Sequence, residues 1–318
     1  MNLAELQQKV DRVIHNADEF VRKWMEFISA PAGTVTLEYY DKNGNLKTAK
    51  FSNRNKLVQD FIANANRVMS KTVYVDQVNG DDGNDGSANA PFKTIKKAVD
   101  SVPAGGYGLI YLKPGQTYSI DPTTYLYNKY IHFKTTDLQA VTNGDVAPPE
   151  IHPTAFVDGN NYNSLYGFIL FNSTLRFEWV RIIVPSLPNP NLPINHYYHG
   201  AVISGLGKII AHYWDPTNSH PPQFVIPRNT FPLIRSGSRD GKGNISVILS
   251  FSTIQAEGVA NRSIFLELQY SNAIAEFQTH GSVVKNSAGN SLSWNDVISG
   301  IVRDSNGIPR NVISNVIL

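Results

Sequence analysis

Apolar residues recur along the first thirty positions at 3- and 4-residue steps: Leu3, Leu6, Val10, Val13, Ala17, Phe20, Trp24 and Phe27. These are the a and d positions of a heptad held for about three and a half repeats, which predicts one long helix over 1–30. Ile14, Val21 and Ile28 fall at successive e positions and widen the stripe beyond a two-stranded seam. A stripe of that width suits three or more helices packed together, or a helix lying on its own domain. Pro31-Ala32-Gly33 ends the helix. TVTLEYY, the Asn-Gly turn in DKNGN and LKTAKF then predict a β-hairpin, and a second amphipathic helix is expected over roughly 54–69. Residues 31–71 read as a hairpin–helix adaptor.

From about residue 72 the helical period gives way to short apolar runs bounded by Asn, Ser, Gly and Pro. Examples are GLIYLKP, YIHFKTT, GFILFNS, VRIIVP, GKIIAHYW, NISVILSFS, SIFLELQYS and AIAEFQTHG. Many short strands separated by turn formers mean a sandwich, barrel, propeller or solenoid. The irregular period alone leaves these alternatives open. At roughly 25 residues per coil, the chain after the adaptor would make on the order of ten coils. The Pro-rich stretch 185–232 reads as loops projecting from the body.

Composition narrows the function classes. The chain has 318 residues, 17% charged and 42% hydrophobic, with no cysteine. Disulfide scaffolds and thiol chemistry are excluded. A formal net charge of +2 gives no reason to expect nucleic acid. No apolar run reaches the length of a membrane span, and the charged N-terminus does not read as a secretory signal.

Residues 73–103, VYVDQVNGDDGNDGSANAPFKTIKKAVDSVP, followed by GGYGLIYLKPGQTYSI, resemble the opening of right-handed parallel β-helix domains of the pectate-lyase-like superfamily. In that pattern the Gly/Asn/Asp loop turns the chain, and the short helix 95–102 plugs the open end of the solenoid. The resemblance implies a mainly β fold: a parallel β-helix over 72–318, preceded by the helix and the small α/β adaptor. A coiled-coil or adaptor joined to such a β-helix is similar to bacteriophage tail fibres and tailspikes. That resemblance implies a homotrimeric virion appendage assembled in the host cytoplasm. Its N-terminal region would attach to tail, baseplate or adaptor proteins, and its β-helix would contact a host surface polysaccharide. A polysaccharide lyase or hydrolase on the same fold, and a head fibre or spacer, are the alternatives.

Candidate chemistry is sparse. The acidic loop Asp76–Asp85 fails as an EF-hand, because counting from Asp76 puts Ser87 where the bidentate Glu should stand. No metal or cofactor is expected. A glycosidase needs two facing carboxylates about 5–10 Å apart. Asp158, Glu178 and Asp215 are the weak candidates, with no telling spacing among them. Glu257, Glu267 and Glu276 lie too close in sequence to repeat once per coil. Two aromatic clusters, His196-Tyr197-Tyr198-His199 and Tyr213-Trp214 after His212, suit a glycan platform. The plainer reading is that they pack the loops onto the solenoid or sit at a subunit interface; a metal held by His196, His199 and His212 is the third alternative. The apolar tail to Leu318 is expected to pack on other subunits or to close the base of the solenoid.

Overall fold

The computed structural model describes residues 2–29, 33–52, 57–59, 69–196, 198–213, 220–236, 244–269 and 274–318. They fall into two units, 1–68 and 69–318.

In the first unit, helix α1 (Leu3–Ser29) packs on a hairpin of β1 (Thr34–Tyr40) and β2 (Leu46–Ser52). Asn16 fixes the contact: its amide donates to the Tyr40 carbonyl at 3.0 Å and accepts from the Tyr40 N–H at 2.7 Å. Phe27 meets Phe51 at 6.0 Å between ring centroids. The turn closes through the Asp41 carboxylate, which accepts from Asn43 N and Asn45 N. The hairpin covers the Arg12, Asn16, Lys23 and Phe27 side of α1. The centre of the apolar stripe lies about a quarter turn away and stays open, with Leu3 82%, Val13 67% and Val21 63% exposed. Most of the expected helix over 54–69 lies outside the described residues; 57–59 and 69 are helical.

The second unit is a parallel β-solenoid with a three-sided coil. Strand β3 (Ser70–Val75) and helix α2 (Ile95–Ser101) begin it, and α2 buries Ile95, Ala98 and Val99 as the end plug. Thr94 caps α2, accepting from Lys97 N, and Asp82 in turn accepts from the N–H groups of Lys93 and Thr94. Gly86 takes φ +80°, where a Cβ would stand 2.4 Å from the Phe92 ring. The acidic loop is therefore a folded turn with carboxylates aimed at its own backbone.

The first coil runs β4 (Tyr107–Leu112), β5 (Thr117–Ile120) and β6 (Thr124–Tyr127). Next come β7 (Tyr130–Thr135), helix α3 (Leu138–Asn143), β8 (Glu150–Pro153), an inserted hairpin β9 (Ala155–Val157) and β10 (Asn163–Leu165), then the long β11 (Phe168–Glu178). β11 turns a corner at Asn172, so its two halves serve two faces. The later coils use β12 (Arg181–Ile183), β13 (Ile203–His212), β14 (Phe224–Ile226), β15 (Ile234–Ser236), β16 (Asn244–Ser250), β17 (Thr253–Ala256) and β18 (Leu266–Leu268). The last are β19 (Ile274–His280), β20 (Val283–Lys285), β21 (Ser291–Leu292), β22 (Ile298–Ser299) and β23 (Val312–Ser314).

The first face stacks β3, β4, β7, β11, β13, β16, β19 and β23 in parallel, which gives about seven turns rather than ten. Inserted segments lengthen the coils: Asn128 and Asn172 occupy the same corner one coil apart, 44 residues away in sequence. The second face runs β5, β8, β12, β14, β17 and β20. The third pairs β6, β11, β13, β15, β18 and β22. The Pro-rich stretch 185–232 is therefore not a single projecting insert, because it contains β13 and β14.

Inward positions superpose from coil to coil. Val73, Ile110, Phe133, Phe177, Ala211, Leu249 and Thr279 form one ladder, with Phe133 and Phe177 stacked at 5.6 Å. One core runs from Val73 to Val312. Val316 and Leu318 pack against it, and Asn315 accepts from Thr279 N and donates to Thr279 O, so the tail closes part of the base. Phe177→Ala should lower the unfolding free energy by about 3–5 kcal/mol in a urea titration. Asn172→Gly should leave it nearly unchanged, because φ at 172 is +49°.

Candidate functional site

The ladder that aligns the core also aligns the outward side chains of the first face. One outward row reads Tyr107, Tyr130, Thr174, Lys208, Ser246 and Glu276. The next reads Leu109, His132 and Arg176; the third reads Tyr111, Lys134, Glu178 and His212. Alternation brings these side chains together although they are scattered between residues 107 and 276 of the chain.

Glu178 is the hub. Its Oε2 receives His132 Nε2 at 3.1 Å and Arg176 at 3.3 Å, and its Oε1 receives Lys134 Nζ at 2.8 Å. His132 is buried, at 7% exposure, and its Nδ1 lies 3.2 Å from the Tyr107 hydroxyl. With a proton on Nε2, the His132 ring donates to Glu178, and Nδ1 faces the Tyr107 hydroxyl. The bond from His132, then that from Lys134, pull the Glu178 carboxyl down to about 2 from an ordinary 4.5, against the opposing effect of burial. Burial raises the Tyr107 phenol above its usual value and lowers His212 below its own. Arg176 is one-third exposed, and its Nε–H is buried without a hydrogen-bond partner among the described residues.

Beside this network a groove follows the corner between the third and first faces. Asn128 and Asn172 form the corner with φ of +50° and +49°, and Asn172 Nδ2 donates to Asn128 Oδ1 at 3.0 Å. Ser173 secures it, donating to the Leu126 carbonyl and accepting from Lys129 N. One cavity of about 400 Å³ is walled by Tyr107, Asn128, Lys129 and Tyr130. It shares Asn172 and Thr174 with a second cavity of about 590 Å³ that continues past Lys208 and Ser246 to Glu276. Across the corner, Tyr125 and Tyr127 are exposed, and Tyr127 stacks on Phe171 at 4.7 Å. Burial lowers Lys129 below the usual lysine value, and its ammonium donates to the Val99 carbonyl at 2.9 Å.

The residues singled out from sequence are dispersed. Asp158 sits in the turn of the β9–β10 hairpin, accepting from Asn160 N, Tyr162 N, Ser164 Oγ and Asn195 Nδ2. Its carboxylate holds that turn. Glu178 belongs to the cationic network. Trp214 and Asp215 lie outside the described residues, as does Tyr197. His196 is exposed, with its ring edge on Tyr162 at 5.5 Å. Tyr198 begins a short 3-10 turn, Tyr198–Gly200. His199 Nδ1 lies 3.3 Å from Thr123 Oγ1 and 3.2 Å from the Leu165 carbonyl. Tyr213 has no exposed surface and packs on Trp179 at 4.8 Å. It therefore offers no ring to a glycan, and its neighbours Trp179 and Val141 differ from those of His196 and His199. Among the described residues no group of His, Asp and Glu is arranged to hold a metal. His196, His199 and His212 contact different neighbours.

Among the described residues, carboxylates do not pair on the first face. Glu178 and Glu276 are three strand steps apart and in different rows, a separation on the order of 20 Å. Glu257 follows a second-face strand, Glu267 lies on the third face and Glu276 on the first, so their ten-residue spacing is one side of the coil. Sequence reasoning missed Tyr107, Tyr125, Tyr127, Tyr130, His132 and Arg176 as a site. The available signal was the alternation of polar aromatics in YGLIYL and TYLYNKYIHF.

A family model described as "Protein of unknown function (DUF1565)" matches residues 78–123, the end plug and the start of the first coil. No curated protein matches. Among solved structures, a rhamnogalacturonan lyase is similar over 78% of this chain and 66% of its own, at 14% identity and a TM-score of 0.36. The chain thus spans just under two thirds of that structure's length, and a likeness this distant carries nothing about activity.

The lowered Glu178 carboxyl makes stability depend on acid. Its contribution is complete above the unfolded value near 4.5 and is lost as pH falls toward 2. At pH 7 Glu178→Gln should be less stable than the unmodified chain by on the order of 2–3 kcal/mol. Urea titrations should show that gap closing as the pH falls through this window.

Proposed function

We propose that this chain is a self-associating β-solenoid arm that binds an extended glycan along the corner groove. The observation that carries the reading is the groove itself. It is open, runs across several coils, and offers tyrosine rings beside asparagine amides, serine and threonine hydroxyls and the Lys208 ammonium. Rings of this kind pack on the C–H faces of sugars while the polar groups fix hydroxyls. Stacked strands about 4.8 Å apart make the groove long enough for several sugar units.

The uncovered stripe on α1 supports self-association. The hairpin packs on a neighbouring side of the helix, so Leu3, Leu6, Val10, Val13, Ala17, Phe20 and Trp24 remain exposed in the single chain. Equivalent stripes of two further copies would bury them, and the width added by Ile14, Val21 and Ile28 favours three strands over two. Three weak grooves on one body then gain avidity through effective concentration. The setting this reading favours is a bacteriophage tail fibre or tailspike-like appendage. Its N-terminal region would join tail or baseplate proteins, and its solenoid would face the host polysaccharide. The sequence resemblance is what supports that setting.

Light scattering of the full chain should give about three times 35.2 kDa. Leu6→Glu with Val13→Glu, at exposed positions off the hairpin contact, should give the single-chain mass with the solenoid folded. A unit mass for the unmodified chain would contradict the trimer. On an array of bacterial surface polysaccharides, Tyr130→Ala should weaken binding about tenfold, as expected for a lost stacking contact of roughly 1.4 kcal/mol. Undiminished binding by Tyr130→Ala and Asn172→Ala would move the site off the groove.

A further inference from the structure

We propose that the hairpin of the first unit is a docking shelf for helix α1 of a second copy of this chain. Val21, Met25 and Asp18 of the incoming helix seat on Leu37, Phe51 and Lys47 of its neighbour. The inference rests on the reading that the chain associates with itself, and it names the surface through which the copies meet.

The shelf follows from the strand register. Side chains two apart on a strand share a face. Val35, Leu37 and Tyr39 therefore lie on one face of β1, and their partners Phe51, Ala49 and Lys47 extend that face across β2. Val35 is buried, and Leu37 and Phe51 meet the aromatic residues of α1, so this face is turned to the helix. The chain's own α1 packs along β1. Phe51 meets Phe27 at the border of the apolar stripe, so the β2 half projects on the stripe side, with Phe51 still exposed.

Helix and shelf enclose a cavity of about 170 Å³ lined by Phe20, Lys23, Trp24, Phe27, Leu37 and Phe51. Phe20, Trp24 and Phe27 stack down its wall, at 6.2 and 5.4 Å between successive ring centroids. Lys23 turns its ammonium to Glu26 at 2.8 Å, which leaves its methylene stem to the cavity. The lining is rings and aliphatic carbon, and it calls for an apolar occupant.

The chain carries the matching side chains on the opposite edge of the same stripe. Val21 and Met25 are both exposed and, four residues apart, lie on one side of α1. Val21 stands about a third of a turn from Phe27 and points away from the cavity of its own copy. When like helices run parallel around an axis, one edge of each stripe meets the other edge of the next. The cavity spans helix positions 20–27, and Val21 and Met25 of the next copy arrive at that height. Charge agrees with this placement. Tyr40 is bonded to Asn16, and Lys47 stands opposite Tyr39, so Lys47 is about level with Asp18. Both are exposed, and Asp18 lies on the Met25 edge, so the contact pairs them. Each hairpin then bridges two helices, and the ring closes.

The chain has no cysteine, so paired substitutions in the full chain report the contact directly. Val21→Cys with Ala49→Cys is oxidised at a concentration where light scattering gives the trimer mass, then run on a denaturing gel. Val21→Cys with Lys50→Cys is the control, because Lys50 lies on the other face of the hairpin. A closed covalent trimer is expected from the 21–49 pair and single-chain bands from the control. Ala49→Arg should raise the concentration at which the trimer half-dissociates by about tenfold or more, with the solenoid still folded. Trimer mass without the 21–49 link, equal linking in the control, or an Ala49→Arg chain that assembles as tightly overturns the shelf and leaves self-association standing. Bands no larger than two chains overturn the closed ring. A single-chain mass for the unmodified protein removes both readings.

Discussion

Parallel register between successive coils is the constraint on which the second unit depends. A solenoid coil cannot bury its own inward face, so each coil must present its apolar positions at the same places as its neighbours. Here Phe133 sits over Ile110 and under Phe177, and the stacked rings leave one unbroken core. A slip of one residue would turn that whole row outward. The αL asparagines at the corners and the bulge after Phe171 keep the register through a strand that turns from one face to the next. At the start of the stack, where no coil precedes, α2 closes the exposed end with Ile95, Ala98 and Val99.

The same register creates the candidate site. Outward side chains superpose as strictly as inward ones, so residues from β4, β7 and β11 become neighbours on one surface without any local motif. Like and unlike charges at strand spacing must then be reconciled, and Glu178 does this for Lys134 and Arg176 while also taking the bond from the His132 ring. The arrangement is stiff, because each participant is anchored on a strand of the stack rather than on a loop. Rigid placement of this kind is what a binding groove needs.

Much of the architecture was legible in sequence. The heptad marked the N-terminal helix, the Asn-Gly turn marked the hairpin, and the segment 73–120 carried both the loop chemistry and the end plug of a β-helix. The coil count was not legible, because α3, the β9–β10 hairpin and the loop after β12 lengthen individual turns and hide the period. The site was obscured for the same reason: Tyr107 and Glu178 stand far apart in sequence, and only the fold's register places them on one face. Local clustering misled in the other direction. His212 and Tyr213 look like a polar aromatic pair, yet Tyr213 is fully buried in a small cluster of its own with Trp179 and Val141 at a corner. The acids Glu257, Glu267 and Glu276 look evenly spaced, yet one step takes each to a different face.

Ligand should lie at the corner of the third and first faces. Amide hydrogen exchange on the intact chain, with and without an oligosaccharide cut from a polymer it binds, tests this most directly. Added protection is expected at the corner segments 105–107, 128–130 and 172–174, and none in the second-face strands 150–153, 181–183 and 224–226. Protection confined to the second face, or to the loops around 189–196, with the corner unchanged, would contradict it.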